Sequence, residues 1–151
     1  VFSLGRYLTQ PTPFVKFTGG SVQTPGHFTW SELLKVGESN VSGAYGGKVV
    51  VLVNESTQSQ AEYTTMAFRR APGALVIGIT TAAADGNVSA FELPGGRRTM
   101  VSGIGVNYPD GRETQRVGVG VDIEVNPTRK GIQQGRDELL EKAAALIRAG
   151  Y

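Results

Sequence analysis

Between Gly47 and Gly78 the chain reads GKVVVLVNESTQSQAEYTTMAFRRAPGALVIG, and this stretch limits the fold more than any other. Val49–Val53 is a short β-branched run, bounded by Gly46–Gly47 before and Asn54 after, the pattern of a strand buried on both faces. A polar turn follows over Asn54–Gln58. The spacing then predicts a helix over Ser59–Arg70, stopped by Pro72 and Gly73. A second buried strand is expected over Ala74–Ile79. Strand, crossover helix and returning strand make a βαβ unit with a parallel pair. The expected class is therefore α/β. The Ser/Thr-rich turn lies at the carboxyl end of the first strand, where open α/β sheets place their chemistry.

Ser59 admits two readings that do not exclude each other. Ser59-Gln60-Ala61-Glu62 fits a capping box, with the hydroxyl on the backbone N–H three residues on and Glu62 reaching back. A serine at a helix N-terminus is also placed to act as a nucleophile. The Gln60 N–H is then a donor for an oxyanion, and the helix dipole favours negative charge developing there.

The segment VVVLVNESTQSQAE resembles the nucleophile region of the carboxyl-terminal processing (tail-specific, tricorn-related) serine peptidases. Their pattern is a buried strand, Asn-Glu, a short Ser/Thr/Ala run, the nucleophilic Ser, two small residues and Glu. The resemblance continues through ALVIGITTAAADGNVSAFELPGG and GIGVNYPDGRETQRVGVGVDIEVNPT, and upstream through LGRYLTQPTPFVKFT, in the right order. It implies a Clp/crotonase-like core of ββα units, with Ser59 as nucleophile and Glu62 at the family's Glu position. In these peptidases a Lys activates the Ser, in a Gly-Lys-Gly-Thr-Val-Gln segment after the returning strand. The matching residues here are Ala84-Asp85-Gly86-Asn87-Val88-Ser89, so Asp85 stands at the Lys position and Ser89 at the Gln position. The Ser-Lys dyad does not carry over. Asp85 becomes the candidate base or orienter, with a turn residue as the plain alternative. Gln60, Glu62 and Ser89 are the expected substrate-binding residues. The Glu found before Pro-Asp in some relatives is replaced by Gly120.

The resemblance also implies that the chain, which starts at Val1, begins after an Asp-Leu-Arg-Asn-Gly-Gly block. That block normally supplies a core strand and an oxyanion-hole N–H. Residues 1–151 are thus expected to form a single domain, the C-terminal portion of a catalytic core. A partner is expected too: the missing N-terminal part of the core, or a second copy. The expected function is a serine endopeptidase or processing peptidase acting on peptide or protein tails, with an extracytoplasmic location. The alternatives are a non-catalytic peptide-binding or scaffold relative that has lost the general base and, by fold analogy alone, a crotonase-type acyl-CoA enzyme.

Composition narrows the field further. With 151 residues, net charge +2 and no basic run interleaved with aromatics, nucleic-acid binding has little support. There is no cysteine, and His27 is the only histidine, so neither a thiolate nor a histidine metal cluster is expected, and no cofactor is implied. No apolar stretch reaches membrane-spanning length. His27 reads as a loop residue, and Phe28 and Trp30 as aromatics packed on the body. The expected remainder is a helix end over Val1–Leu8, a strand at Phe14–Phe17, a loop over Thr18–Ser31 and a short element at Ser31–Val36. Strands follow at Val88–Leu93 and Arg97–Ile104, a turn at Tyr108–Gly111 and an extended run at Val117–Val125. A helical turn at Thr128–Gly135 precedes a helix over Asp137–Ala149, with Leu139, Leu140, Ala143, Leu146 and Ile147 on its apolar face.

Overall fold

A computed structural model describes residues 1–151. The chain opens with one helical turn, α1 (Phe2–Gly5), and passes into a long strand, β1 (Thr12–Gly20). Two short strands follow, β2 (Phe28–Trp30) and β3 (Leu34–Val36), and both pair antiparallel with β1. The loop expected over Thr18–Ser31 is therefore a hairpin, in register Thr18↔Trp30 and Gly20↔Phe28. Gly19 and Gly20 argue locally against a strand. Backbone pairing to distant segments overrides that preference.

The βαβ unit forms as the sequence indicates. β4 (Val50–Val53) leads through the Asn54–Gln58 turn into α2 (Gln60–Phe68) and returns as β5 (Leu75–Gly78). β4 and β5 are parallel, with Val50 opposite Leu75 and Val53 opposite Gly78. Gly78 is obligatory there. Its φ is +129°, and a Cβ would run into the Val53 carbonyl. Burial of β4 is less complete than expected: Val53 is buried, Val50 and Val51 are half-buried, and Leu52 is 37% exposed. The reason is topological, since β4 is an edge strand with only β5 beside it.

After β5 the chain builds a ribbon from β6 (Val88–Leu93) and β7 (Arg97–Ser102), paired Val88↔Ser102 through Leu93↔Arg97. All but one of its strand residues are exposed, so it stands off the body. The strand expected over Arg97–Ile104 is divided at Gly103. β8 (Ile104–Asn107) pairs with β1 instead of continuing the ribbon. Of the extended run Val117–Val125, only β9 (Ile123–Glu124) is a strand, parallel to β5. Positive φ at Arg116 and Gly118 bends the chain before it.

Two helices close the chain, α3 (Arg129–Gln133) and α4 (Glu138–Ala149). The Asp137 carboxylate caps α4 by accepting from Leu140 N–H at 2.9 Å, and Gly150 ends it in the left-handed conformation. α4 packs on β4 and β5 through buried Ala143 and half-buried Leu139 and Leu146. Leu140 and Ile147, expected on the same face, are exposed. α2 serves the other sheet. Its Met66 and Ala67 join Phe14, Val15, Val36, Val106 and Val119 in the main core. The structure is thus a mixed helix–strand assembly, with α2 linking the small parallel sheet to the antiparallel one.

Candidate active site

The turn that delivers Ser59 is held by its own polar side chains. Asn54 N–H donates to Thr57 Oγ1 at 3.0 Å, and Ser56 N–H donates to Asn54 Oδ1 at 3.0 Å. Thr57 also anchors the turn outward, its carbonyl accepting Ala82 N–H at 2.9 Å. The chain leaves this turn abruptly. Ser59 is exposed and adopts φ 54°, ψ −118°, a conformation that non-glycine residues rarely take. Such strain costs of order 1–3 kcal/mol and persists only where surrounding contacts enforce it. A serine on a sharp, strained strand-to-helix turn is also the arrangement that presents a nucleophile at the top of an α/β sheet.

Glu62 enforces the turn. It is fully buried, and its carboxylate accepts four bonds: Ser59 N–H at 3.0 Å, Thr81 Oγ1–H at 2.5 Å, Ala83 N–H at 3.0 Å and Ala84 N–H at 3.1 Å. Ser59 and Glu62 take the capping-box arrangement, but the hydroxyl half is too loose to count as a hydrogen bond. The Ser59 hydroxyl is therefore not consumed by capping. Glu62 also lies elsewhere than the substrate-facing position expected of it. It ties the Ser59 turn to the loop after β5, and its burial keeps it from any ligand.

That loop carries Asp85. Thr81 links it to the far side by accepting Val119 N–H at 2.8 Å, and Arg116 N–H donates to the Ala83 carbonyl at 2.8 Å. Gln115 secures Asp85 itself. Its Nε2 donates to the carbonyls of Asp85 at 2.9 Å and Ile104 at 2.8 Å, while its Oε1 accepts Val106 N–H at 3.1 Å. Asp85 is buried, 8% exposed. Oδ1 accepts Gly86 N–H at 2.7 Å, and Oδ2 is buried without a partner. Burial pushes the Asp85 carboxyl above the usual aspartate range; the Gly86 bond lowers it in part and the neighbouring Glu62 raises it further.

Ser59, Gln60 and Asp85 line one cavity of about 400 Å³, together with Tyr63, Gly86 and Asn87. Phe17, Ile104 and Val106 supply apolar wall. Gln60 N–H has no backbone partner, so a free donor stands beside the Ser59 hydroxyl at the N-terminus of α2. The structure thus brings Ser59, Asp85 and Gln60 together. It leaves Ser89 apart, exposed on the ribbon opposite Val101. His27 is exposed in the β1–β2 turn and does not line the cavity. Phe28 and Trp30, expected to pack on the body, are 68% and 54% exposed. Lys16 covers part of Trp30, its Nζ lying 4.3 Å from the ring centroid.

Three contributors were not anticipated from sequence. Tyr63 stands one turn after Ser59, stacked on Phe17 with ring centroids 6.2 Å apart. Burial, and then the charge of Asp85, push its phenol above the usual tyrosine value, so it stays neutral. The four-residue spacing from Ser59 was a usable signal. Thr81 and Gln115 had no local signal, because their partners are distant in sequence. No group of acidic or histidine side chains converges so as to hold a metal ion.

Residues 7–125 match peptidase family S41, and the chain belongs to that family. No curated protein matches it. A protein from Parabacteroides merdae, solved as a candidate peptidase, is 24% identical, with TM-score 0.80 over 95% of this chain and 45% of its own. Mature CPAF is 26% identical, with TM-score 0.64 over 75% of this chain and 22% of its own. The photosystem II D1 C-terminal processing protease is 21% identical, with TM-score 0.60 over 83% of this chain and 30% of its own. The chain therefore spans less than half the length of these structures.

Proposed function

We propose that this chain carries the nucleophile and the substrate cavity of a serine peptidase that processes peptide or protein tails by acyl transfer through Ser59. One observation carries the reading. An exposed serine is held in a strained conformation at a helix N-terminus, beside an unused N–H and on the rim of a cavity. In the reaction, Ser59 Oγ bonds to the scissile carbonyl carbon, and the oxygen that becomes negative faces Gln60 N–H and the positive end of α2. The C–N bond breaks as this intermediate collapses, and the hydroxyl proton leaves on the released amine. Water then cleaves the ester and restores the Ser59 hydroxyl.

Two roles compete for Asp85. As a base it must reach the Ser59 hydroxyl, and Asp85→Asn then abolishes cleavage of every substrate. As a substrate-binding group it discriminates among substrates. Ser59 and Asp85 share no hydrogen bond, and Oδ2 has no partner, which favours the second role. The proton of Ser59 is then taken by a group that these residues do not bring to it.

The finer architecture belongs to the same proposal. The β4–α2–β5 unit is assigned to a Clp/crotonase-type core, and residues 1–151 to one domain of it. The free edge of β4 is assigned to a further strand, from elsewhere in the polypeptide or from a second copy. No helix is long and apolar enough to cross a membrane; an extracytoplasmic location is kept as part of the proposal. The test is labelling by a serine-directed fluorophosphonate in the full-length protein. The expected result is one modified residue, Ser59, and no labelling or cleavage after Ser59→Ala. Turnover that survives Ser59→Ala removes the peptidase reading. Retained binding of an extended peptide without labelling supports the non-catalytic relative.

A further inference from the structure

Asp85 presents a carboxylate oxygen without a counterpart. Its backbone is secured by Gln115, and one carboxylate oxygen is secured by Gly86 N–H. Oδ2 contributes to neither task and has no partner. Leaving a carboxylate oxygen buried and unpaired costs stability, so the arrangement calls for a compensating group. Val1 and Phe2 complete the lining, and none of the cavity's side chains is basic. The ionisable groups that act on Asp85 are Glu62 and Tyr63, one acidic and one neutral. Any cation must therefore come from outside these side chains.

The rest of the cavity describes what that cation is attached to. Phe17, Tyr63, Ile104 and Val106 provide an apolar wall, suited to an aliphatic stem that ends in a charge. The Tyr63 ring, fixed edge-on to Phe14 with centroids 5.1 Å apart and stacked on Phe17, adds a π face. A volume of about 400 Å³ lies at the lower end for a ligand pocket and has room for one long side chain. Ser59 and Gln60 share its rim, so the residue that fills it lies beside the bond to be cut.

We propose that this cavity is a specificity pocket for a lysine or arginine side chain of the substrate, whose charged head pairs with Asp85 Oδ2 while its stem lies along Phe17, Tyr63, Ile104 and Val106. The proposal rests on the reading of Ser59 as nucleophile, but it is tested without turnover. The Ser59→Ala form of the full-length protein is titrated, by fluorescence anisotropy, with two N-acetylated extended peptides differing only in lysine against norleucine. The lysine peptide is expected to bind at least about tenfold more tightly, the scale of one paired buried charge. In Ser59→Ala/Asp85→Asn the ratio is expected to fall to near one. Equal affinities in the Ser59→Ala protein overturn the proposal, whether or not the double variant folds. A ratio that survives Asp85→Asn overturns it as well. A preference for cationic peptides seen only when the N-terminus is left free assigns the amine to the chain terminus and overturns the side-chain assignment. Failure of the nucleophile reading shows separately, as cleavage or fluorophosphonate labelling that persists in Ser59→Ala.

Discussion

Glu62 and Asp85 are neighbouring carboxylates with opposite fates. Glu62 receives four donors and no solvent, so its charge is solvated by the fold itself. Glu62→Ala strands those donors and is expected to cost about 3 kcal/mol or more, read by urea unfolding. It should also slow fluorophosphonate labelling, since it frees Ser59 from its strained turn. Asp85 receives one donor, and its carboxyl titrates above the usual range because burial disfavours the charge. The folded chain therefore holds that proton to higher pH than the unfolded chain. Between the ordinary aspartate value of about 3.9 and the raised folded value, unfolding releases a proton, so this group makes stability fall as pH rises. Asp85→Asn removes the penalty. Thermal melts should show the variant gaining on the parent through that window and holding a constant advantage above it. An advantage that is largest at acid pH would contradict the assignment.

Among the elements, the β4–α2–β5 unit depends on a few contacts that no substitution reproduces. Gly78→Ala places a methyl against the Val53 carbonyl at a φ of +129°, and should destabilise by at least about 2 kcal/mol. Asp122 joins three elements at once. Its carboxylate accepts Val76 N–H at 2.7 Å and pairs with Arg69 Nη2 at 2.7 Å, and its own N–H donates to the Val76 carbonyl at 2.7 Å. The pair is partly exposed, so solvent screens it, and Asp122→Ala is expected to cost about 1–2 kcal/mol in a denaturant titration. α4 depends on its caps, and Asp137→Ala should cost about 1 kcal/mol. Loss of the Asp137 cap should leave peptide binding unchanged, because α4 lines no part of the cavity.

At the level of the whole molecule, apolar surface remains uncovered where the small sheet ends. Leu52 is exposed on edge strand β4, and a groove beside it is lined by Val51 of the same strand and by Ala61 and Phe68 of α2. An unpaired strand edge is a template for another strand. Residues 1–151 alone are therefore expected to associate, with a sedimentation coefficient that rises with concentration and is lowered by Leu52→Lys. A stable monomer that unfolds in one cooperative step would show that the edge needs no cover.

Local sequence determined those features whose causes are local. The βαβ unit follows from two β-branched runs around a helical stretch, and the limits of α4 follow from Asp137 and Gly150. The position of Ser59 at a helix N-terminus follows from its spacing to Glu62. Tertiary structure decided everything that required distant partners. Gly19 and Gly20 became strand because β2 and β8 pair with β1. Ser89 went to the ribbon because the chain changes sheets at Gly103. Glu62 became a buried anchor because Thr81, Ala83 and Ala84 converge on it, and Asp85 kept an unpartnered oxygen because only Gly86 N–H reaches its carboxylate. A side chain's type states which bonds it is able to make, but only the folded arrangement settles which partners reach it and which oxygen remains for a ligand.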